Sequence, residues 1–297
     1  MSTSTRPFLV PREYHQALIV DSSPEINQLI SNLFDPYEWK IHFARDNQDA
    51  LRRAREHAFD LIITGERTSG PEDLELLRRL RLVRPHTRLI ILADEFTPGD
   101  VLNSIRERAF SYFSRPFSTE KLAEIIRVAM NEPYWDDGIE ILSATPNWIR
   151  LSVRCDVLTA NRLIQFYREA SDLPAAETEE VAAAFREILL NAIEHGAGFD
   201  PTQFAEIGYV RTRRMVMCRV KDPGTGFSLD ELKHSALANP EDDPFRHMSE
   251  REALGMRPGG FGILMARKLV DDLFYNDKGN EVLLIKYLDQ SNSATPA

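Results

Sequence analysis

The chain has 297 residues, of which 43% are hydrophobic and 28% are charged, and its formal net charge is -10. This length is typical of two globular domains, and the acidic balance disfavours duplex nucleic acid or an anionic membrane as the main partner. No apolar stretch reaches the ~18 residues of a membrane span. Cys155 and Cys218 lie far apart and show no metal or disulfide spacing. We therefore expect a cytoplasmic protein with reduced thiols.

Short apolar segments alternate with amphipathic segments between residues 16 and 131. The apolar segments QALIVD, WKIHFA, FDLIITG, RLIILAD and FSYFSRPF predict five strands, and a segment with helical spacing follows each of them. Strands that alternate with helices favour a parallel sheet with helical crossovers. We therefore predict a flavodoxin-like, doubly wound α/β domain over residues 15–131.

The order of elements changes after the polar segment EPYWDDG, residues 132–138, which is the predicted linker because it contains Pro and Gly. Two strands, two helices and a hairpin follow, and the segment GFGILMARKLVDDLF predicts one further helix before the closing strand NEVLLIKYL. Strands and helices do not alternate strictly here. We therefore predict an α/β sandwich over residues 139–290, with an antiparallel-rich sheet and helices on one face.

Two polar residues lie one turn apart on the long helix that the segment ETEEVAAAFREILLNAIEHGA predicts. Glu187 and Asn191 share a helix face because they are four residues apart. The carbonyl oxygen of Asn191 is a ligand that Mg²⁺ accepts beside phosphates and water. Glu187 is suited to orient or deprotonate a nucleophile. The alternative is that both are merely polar residues on the exposed face of an amphipathic helix.

A first glycine-rich turn ends the strand MVMCRV. It contains Asp222, Gly224 and Gly226. An Asp at a strand end can accept a hydrogen bond from an exocyclic amine, and glycines let the backbone approach a flat base closely. The alternative is a polar turn without a ligand.

A second glycine-rich segment opens the next predicted helix. It contains Arg257, Gly259, Gly260, Phe261 and Gly262. The free N–H groups and the dipole of a helix N-terminus attract an anion, and Arg257 adds a positive charge. The alternative is a glycine-rich helix cap that binds nothing.

The order of these three segments resembles that of the GHKL (Bergerat, HATPase) ATPases. The motifs E-x-x-x-N-A-x-x-H-G, V-x-D-x-G-x-G-F, R-P-G-G-x-G-I and E-V-x-L-x-K-Y are similar to those of the anti-sigma-factor serine kinases of the RsbW and sporulation type. The resemblance covers about residues 139–290. It implies ATP and Mg²⁺ as cofactors, with Asn191 as the Mg²⁺ ligand, Glu187 as the catalytic base and Asp222 as the residue that binds adenine.

The same resemblance implies further parts of a nucleotide site. Residues 228–258 correspond to the family's ATP lid, and His195 is expected to be a structural residue at the helix end. The glycines under the base and in the phosphate loop are Gly224, Gly226, Gly260 and Gly262. Arg257, Gly259 and Phe261 complete the expected cofactor-binding residues.

The N-terminal half resembles a response-regulator receiver domain, most clearly along FDLIITGERTSGPEDLELLRRLR. Receiver chemistry requires two acids after the first strand, an Asp after the third, a hydroxyl after the fourth and a Lys before Pro after the fifth. This chain has Asp21–Ser22, Gly65, Ala93 and Arg115–Pro116 at those positions. Four of the five positions have therefore changed, Arg for Lys included. We predict a degenerate pseudo-receiver retained for packing and protein contact, with Glu66 as a poor surrogate for the lost Asp.

Two functional hypotheses from different classes follow. The first is an ATP-dependent serine/threonine protein kinase of a bacterial partner-switching pathway, which binds a sigma factor and phosphorylates a STAS-type anti-anti-sigma protein. The second is a non-catalytic ATP-binding regulator that sequesters its partner, and a pure scaffold is a weaker third. A histidine kinase is disfavoured because no dimerisation helix pair carries a phosphoacceptor His. A homodimer through either domain is left open.

Overall fold

The computed structural model describes residues 14–65, 70–94, 97–131, 138–226 and 261–288. By internal contacts the chain divides into two compact units, residues 1–95 with 113–129 and residues 96–112 with 130–297. Six residues of the predicted linker, 132–137, lie outside the described residues, so the predicted domain boundaries remain predictions. Among the described residues, no helix has both the length and the apolar character that crossing a bilayer requires.

A five-stranded sheet with the order β2-β1-β3-β4-β5 forms in the N-terminal half. β1 pairs in parallel with β2 and β3, and β3 pairs in parallel with β4. This confirms the predicted flavodoxin-like fold. The strands are β1 (His15–Val20), β2 (Trp39–Ala44), β3 (Leu61–Thr64), β4 (Arg88–Ala93) and β5 (Ser111–Ser114). The helices are α1 (Pro24–Ser31), α2 (Asn47–Glu56), α3 (Gly70–Val83), α4 (Pro98–Arg106) and α5 (Thr119–Asn131).

Local sequence explains these elements. Every residue of β3 is buried, as expected of a central strand covered on both faces. The side chain of Ser23 caps α1, and that of Asp46 caps α2. Thr97 and Asp100 form a reciprocal capping box at the start of α4.

The C-terminal half forms a six-stranded antiparallel sheet with the order β10-β11-β9-β8-β7-β6, which confirms the predicted sandwich class. The strands are β6 (Ile139–Thr145), β7 (Trp148–Arg154), β8 (Phe204–Arg211), β9 (Met215–Lys221), β10 (Asp272–Tyr275) and β11 (Glu281–Tyr287). The helices are α6 (Val157–Ala170), α7 (Ala175–Asn191) and α8 (Gly262–Leu269). Along β8 and β9 buried residues alternate with partly exposed ones, so one face carries the core.

One predicted element is wrong at its end. The helix expected over GFGILMARKLVDDLF stops at Leu269, and residues Asp272–Tyr275 form β10 instead. β10 pairs with β11 from Asp272↔Ile285 to Tyr275↔Val282. Pairing with the closing strand outweighs the local helical spacing, because cross-strand contacts are not visible in a window of sequence.

Residues 96–112 fall in the first domain by chain order and in the second unit by packing. α4 packs against α6 and β6. The side chain of Arg162 on α6 is buried, donates to the carbonyl oxygen of Phe110 at 2.9 Å and lies 4.2 Å from the centre of the Phe110 ring. A buried guanidinium needs such partners to offset its desolvation. By its contacts this segment groups with the second unit, although β5, which begins at Ser111, belongs to the five-stranded sheet.

Helix α7 continues into a π-helical turn at Ala192–Gly196. The turn contains the wide hydrogen bond of a π-helix, from the N–H of Ala197 to the carbonyl oxygen of Ala192 at 3.0 Å. Such turns are rare in proteins overall, but those that occur are often found at functional sites. This one lies directly after Asn191.

Candidate nucleotide-binding site

The polar pair of α7 meets the first residue of α8. An added Cβ at Gly262 would lie 2.8 Å from Oε2 of Glu187 and 3.6 Å from Nδ2 of Asn191. The side chain of Glu187 is 29% exposed, so solvent and a ligand can reach its carboxylate. The structure therefore brings Glu187, Asn191 and Gly262 together at the N-terminus of α8, although they belong to two separate sequence motifs.

Asp222 follows β9 and folds its side chain over its own turn. Its Oδ1 accepts a hydrogen bond from the N–H of Gly224 at 2.8 Å. Burial raises the pKa of the Asp222 carboxyl, and the amides of Gly224 and Asp222 together with the charge of Lys278 offset part of that rise. The carboxylate is thus a costly, half-buried charge, which is typical of a group that binds a ligand.

The end of the α7 segment lies against this turn. A side chain at Gly196 would overlap the side chain of Asp222. A Cβ at Gly224 would lie 2.7 Å from the carbonyl oxygen of Gly196. Neither Gly196 nor Gly224 has room for a side chain where the end of the α7 segment meets the Asp222 turn. The Glu187–Asn191 helix and the Asp222 turn therefore form one continuous candidate site.

The sequence analysis missed the turn between β10 and β11, which packs against the Asp222 turn. The N–H of Asp222 donates to the carbonyl oxygen of Asn280 at 3.0 Å. Gly226 has a φ of +83°, and its Cα faces the carbonyl oxygen of Lys278 so closely that an added Cβ would overlap it. The segment NDKGN is a recognisable hairpin turn, but only the pairing of β9 with β11 brings it to Asp222.

Two neutral acids, Cys155 and Tyr275, feel the charge of the Asp222 carboxylate. Cys155 is fully buried, and burial together with the negative charge of Asp222 raises its pKa to about 12. Burial also raises the pKa of Tyr275, with a further contribution from Asp222. The raised pKa values keep both groups neutral at pH 7, so neither adds a negative charge beside Asp222. Cys218 is buried as well, and both cysteines are free thiols, as expected.

Some predicted site residues cannot be placed. Arg257, Gly259 and Gly260 lie outside the described residues, as does the predicted lid, 228–258. Phe261 is described, and its carbonyl oxygen accepts the N–H of Met265 at 2.8 Å in the first turn of α8. His195 is exposed in the π-helical turn.

The arrangement defines a class of protein. An antiparallel α/β sandwich presents a carboxylate beside glycine backbone at one end and a Glu–Asn pair at a helix N-terminus at the other. These are the groups that recognise a base and an anionic phosphate chain respectively. The second unit is therefore a nucleotide-binding sandwich, in a chain that also contains a doubly wound domain.

Comparison with known proteins agrees with this description. Residues 153–286 match the model of the histidine kinase-like ATPase domain, and residues 17–127 match that of the response regulator receiver domain. The transcriptional regulatory protein TrcR of Mycobacterium tuberculosis is 25% identical over 112 residues, 38% of this chain and 44% of TrcR. The serine-protein kinase RsbW of Listeria monocytogenes is 27% identical over 113 residues, 38% of this chain and 67% of RsbW.

The chain is also similar to solved receiver structures. A signal receiver domain from Pseudomonas fluorescens is 28% identical and covers 40% of this chain and 95% of its own, with a TM-score of 0.36. The chain spans less than half the length of the regulators TrcR and NtrX, the latter from Azorhizobium caulinodans. The chain combines a response regulator receiver domain with a histidine kinase-like, ATP-binding domain.

Affinity for ATP should depend on the ionisation of Asp222. The carboxylate accepts a hydrogen bond from an amine, whereas the protonated acid loses acceptor capacity. Because burial raises this pKa, ATP affinity should fall as the pH drops through a value above the ordinary ~3.9 of Asp. Calorimetric titration from pH 7.5 to 4.5 measures the effect. Asp222→Asn, which cannot ionise, corrects for titration of the nucleotide, and parallel pH profiles for both proteins would contradict the assignment.

Two glycines separate backbone strain from close packing. Gly198 has a φ of +62° and nothing within 4 Å of an added Cβ, whereas Gly226 has a φ of +83° and faces Lys278. Gly198→Ala should lower the free energy of unfolding by about 1 kcal/mol, the cost of a left-handed alanine. Gly226→Ala should lower it by about 3 kcal/mol, because backbone must also move. Urea denaturation measures the free energy of unfolding of both variants. Equal losses would show that the Asp222 turn is not packed against the turn between β10 and β11.

Proposed function

We propose that this chain is an ATP-dependent protein serine/threonine kinase and anti-sigma-type regulator of a partner-switching pathway. Its substrate would be a small STAS-type anti-anti-sigma protein, and its second partner a sigma factor. The observation that carries the proposal is the meeting of Glu187, Asn191 and Gly262 at the N-terminus of α8. The similarity to a serine-protein kinase of Listeria supports the same reaction class.

The groups present fit phosphoryl transfer. In the proposed reaction the Ser or Thr hydroxyl oxygen bonds to the γ-phosphorus of ATP, the bond from that phosphorus to the bridging oxygen breaks, and ADP leaves. Glu187 accepts the hydroxyl proton, for which its partly exposed carboxylate is accessible. Bound Mg²⁺ supplies charge neutralisation for the phosphates. The amide of Asn191 lies beside this carboxylate and is the proposed protein ligand of the ion.

We further propose that the receiver domain has lost its own phosphoryl chemistry. A side chain at Gly65 would overlap the carboxylate of Asp21, which is 3% exposed and accepts a hydrogen bond from the N–H of Ser23. The space of a phosphoacceptor side chain is therefore filled. Arg115, where receivers have Lys, pairs with Asp94 at 3.3 Å. Both observations support a domain retained for protein contact.

Removal of the proposed base should separate transfer from binding. In a reaction with ATP, Mg²⁺ and the cognate STAS protein, Glu187→Ala should lower the rate of phospho-Ser/Thr formation by at least about 100-fold, the usual contribution of a general base. ATP affinity should stay near that of the wild type. Glu179→Ala, an exposed acid on the same helix, is the matched control and should transfer normally.

The outcome also separates the two hypotheses for this site. Unchanged transfer by Glu187→Ala would remove Glu187 from the catalytic role. Binding of ATP without transfer, even by the wild type, would favour the non-catalytic regulator that acts by sequestration. Failure of the wild type to bind ATP at millimolar concentration would exclude both hypotheses and favour a pure scaffold.

Acetyl phosphate with Mg²⁺ should leave residues 1–131 unmodified, because Gly65 has no acceptor and Asp21 is enclosed. Intact mass measurement detects the gain of about 80 Da that a phosphoryl group brings. Gly65→Asp should also remain unmodified, since the new side chain would compete with Asp21 for the same space. A labile adduct in the wild-type domain would overturn the pseudo-receiver proposal.

A further inference from the structure

The turn between β10 and β11 is held by two asparagines. Nδ2 of Asn276 donates to Oδ1 of Asn280 at 3.0 Å, and the N–H of Asn280 donates to Oδ1 of Asn276 at 3.1 Å. The N–H of Glu281 shares the same Asn276 oxygen at 3.2 Å. Asn280 is 5% exposed. The turn is thus internally hydrogen-bonded and has little freedom to move independently of β11.

This turn is fastened to the Asp222 turn by side chains as well as by backbone. Nδ2 of Asn280 donates to the carbonyl oxygen of Gly224 at 3.3 Å. Nζ of Lys278 reaches the same oxygen at 3.4 Å. The backbone bond from Asp222 to Asn280 closes the connection at the other end. Asn280 therefore connects to Asp222 directly through its backbone and indirectly through Gly224.

The connection fixes where the carboxylate of Asp222 points. Its Oδ1 is occupied by the N–H of Gly224, and Oδ2 makes no hydrogen bond with another described residue. Gly224 is held in turn by Asn280. If Gly224 shifted, Oδ1 would lose its donor and the side chain would be free to rotate. The two ends of the Asn280 amide do different things: its Oδ1 accepts from Nδ2 of Asn276 within the hairpin, and its Nδ2 donates to Gly224. The bond to Gly224 is therefore not part of the hairpin's own hydrogen bonding.

We propose that Asn280 is a positioning residue for recognition of the nucleobase, acting through Gly224 to aim Oδ2 of Asp222 at the exocyclic amine. The inference rests on the ATP-binding function of this site. It predicts that Asn280 contributes to the preference for adenine over hypoxanthine, which has an oxygen where adenine has the amine. It predicts no contribution to binding of the phosphate chain, which lies at the Glu187–Asn191 end.

The test uses the full chain and three probes with Mg²⁺: ATP, inosine triphosphate and inorganic tripolyphosphate. Asn280→Ala should weaken ATP binding by about 10-fold, the size expected for one well-placed hydrogen bond. Inosine triphosphate and tripolyphosphate should bind as they do to the wild type. Asn147→Ala, an exposed asparagine in the β6–β7 hairpin turn of the same sheet, is the matched control and should bind all three normally.

A double-mutant cycle decides whether Asn280 acts through Asp222. In the Asp222→Asn background, Asn280→Ala should cause no further loss of ATP affinity. Additive losses, or an equal loss for all three probes, would overturn the inference and leave Asn280 as a residue that stabilises the fold. If Asn280→Ala does not fold, Asn280→Asp keeps the side-chain shape but lacks the donor, and it should lose the same preference for ATP. A wild-type protein that binds none of the probes would overturn the ATP assignment itself.

Discussion

The contact between Gly196 and Asp222 is the constraint on which the site depends. Glu187 and Asn191 lie on one element and Asp222 lies on another, and they form a single site only because backbone meets a carboxylate without an intervening side chain. Gly224, on the Asp222 turn, must also lack a side chain, because its Cα lies close to the carbonyl oxygen of Gly196. An alanine at either position would push the end of the α7 segment and the Asp222 turn apart.

Two aspartates that directly follow strands, Asp21 after β1 and Asp222 after β9, show how similar geometry gives different chemistry. Asp21 and Asp222 each lie against a glycine that has no room for a side chain, Gly65 and Gly196 respectively. Asp21 is enclosed and satisfied by the turn that follows it. Asp222 is half buried, its pKa is raised, and among the described residues its Oδ1 alone accepts a hydrogen bond, from Gly224. The enclosure of Asp21 and the partial exposure of Asp222 are the physical difference between the two turns.

Local patterns predicted most of the fold. Strand–helix alternation gave the doubly wound domain, and the spacing of Glu187 and Asn191 placed both on one helix face because that spacing is a property of the helix itself. Features that depend on long-range contacts could not be predicted from local sequence patterns. β10 was taken for helix because its state is decided by pairing with β11, about ten residues further along the chain. The Asn276–Asn280 turn was missed because it reaches Asp222 only through the pairing of β11 with β9, which lies about sixty residues earlier. The overlap of Asp21 with Gly65 likewise required coordinates.

The π-helical turn has a consequence for how the sequence can vary. A π-helical turn holds one residue more than the α-helical turn it replaces, so deletion of a single residue within Ala192–Gly196 would restore a regular helix. Because the extra residue is accommodated within that one turn, its deletion would leave the residues before and after the turn in nearly the same orientation. Deletion of one residue earlier in α7, where the helix is regular, would instead rotate the two parts of the segment by about 100° relative to each other around the helix axis. Single-residue deletions are therefore expected to be tolerated better within Ala192–Gly196 than between Glu187 and Asn191.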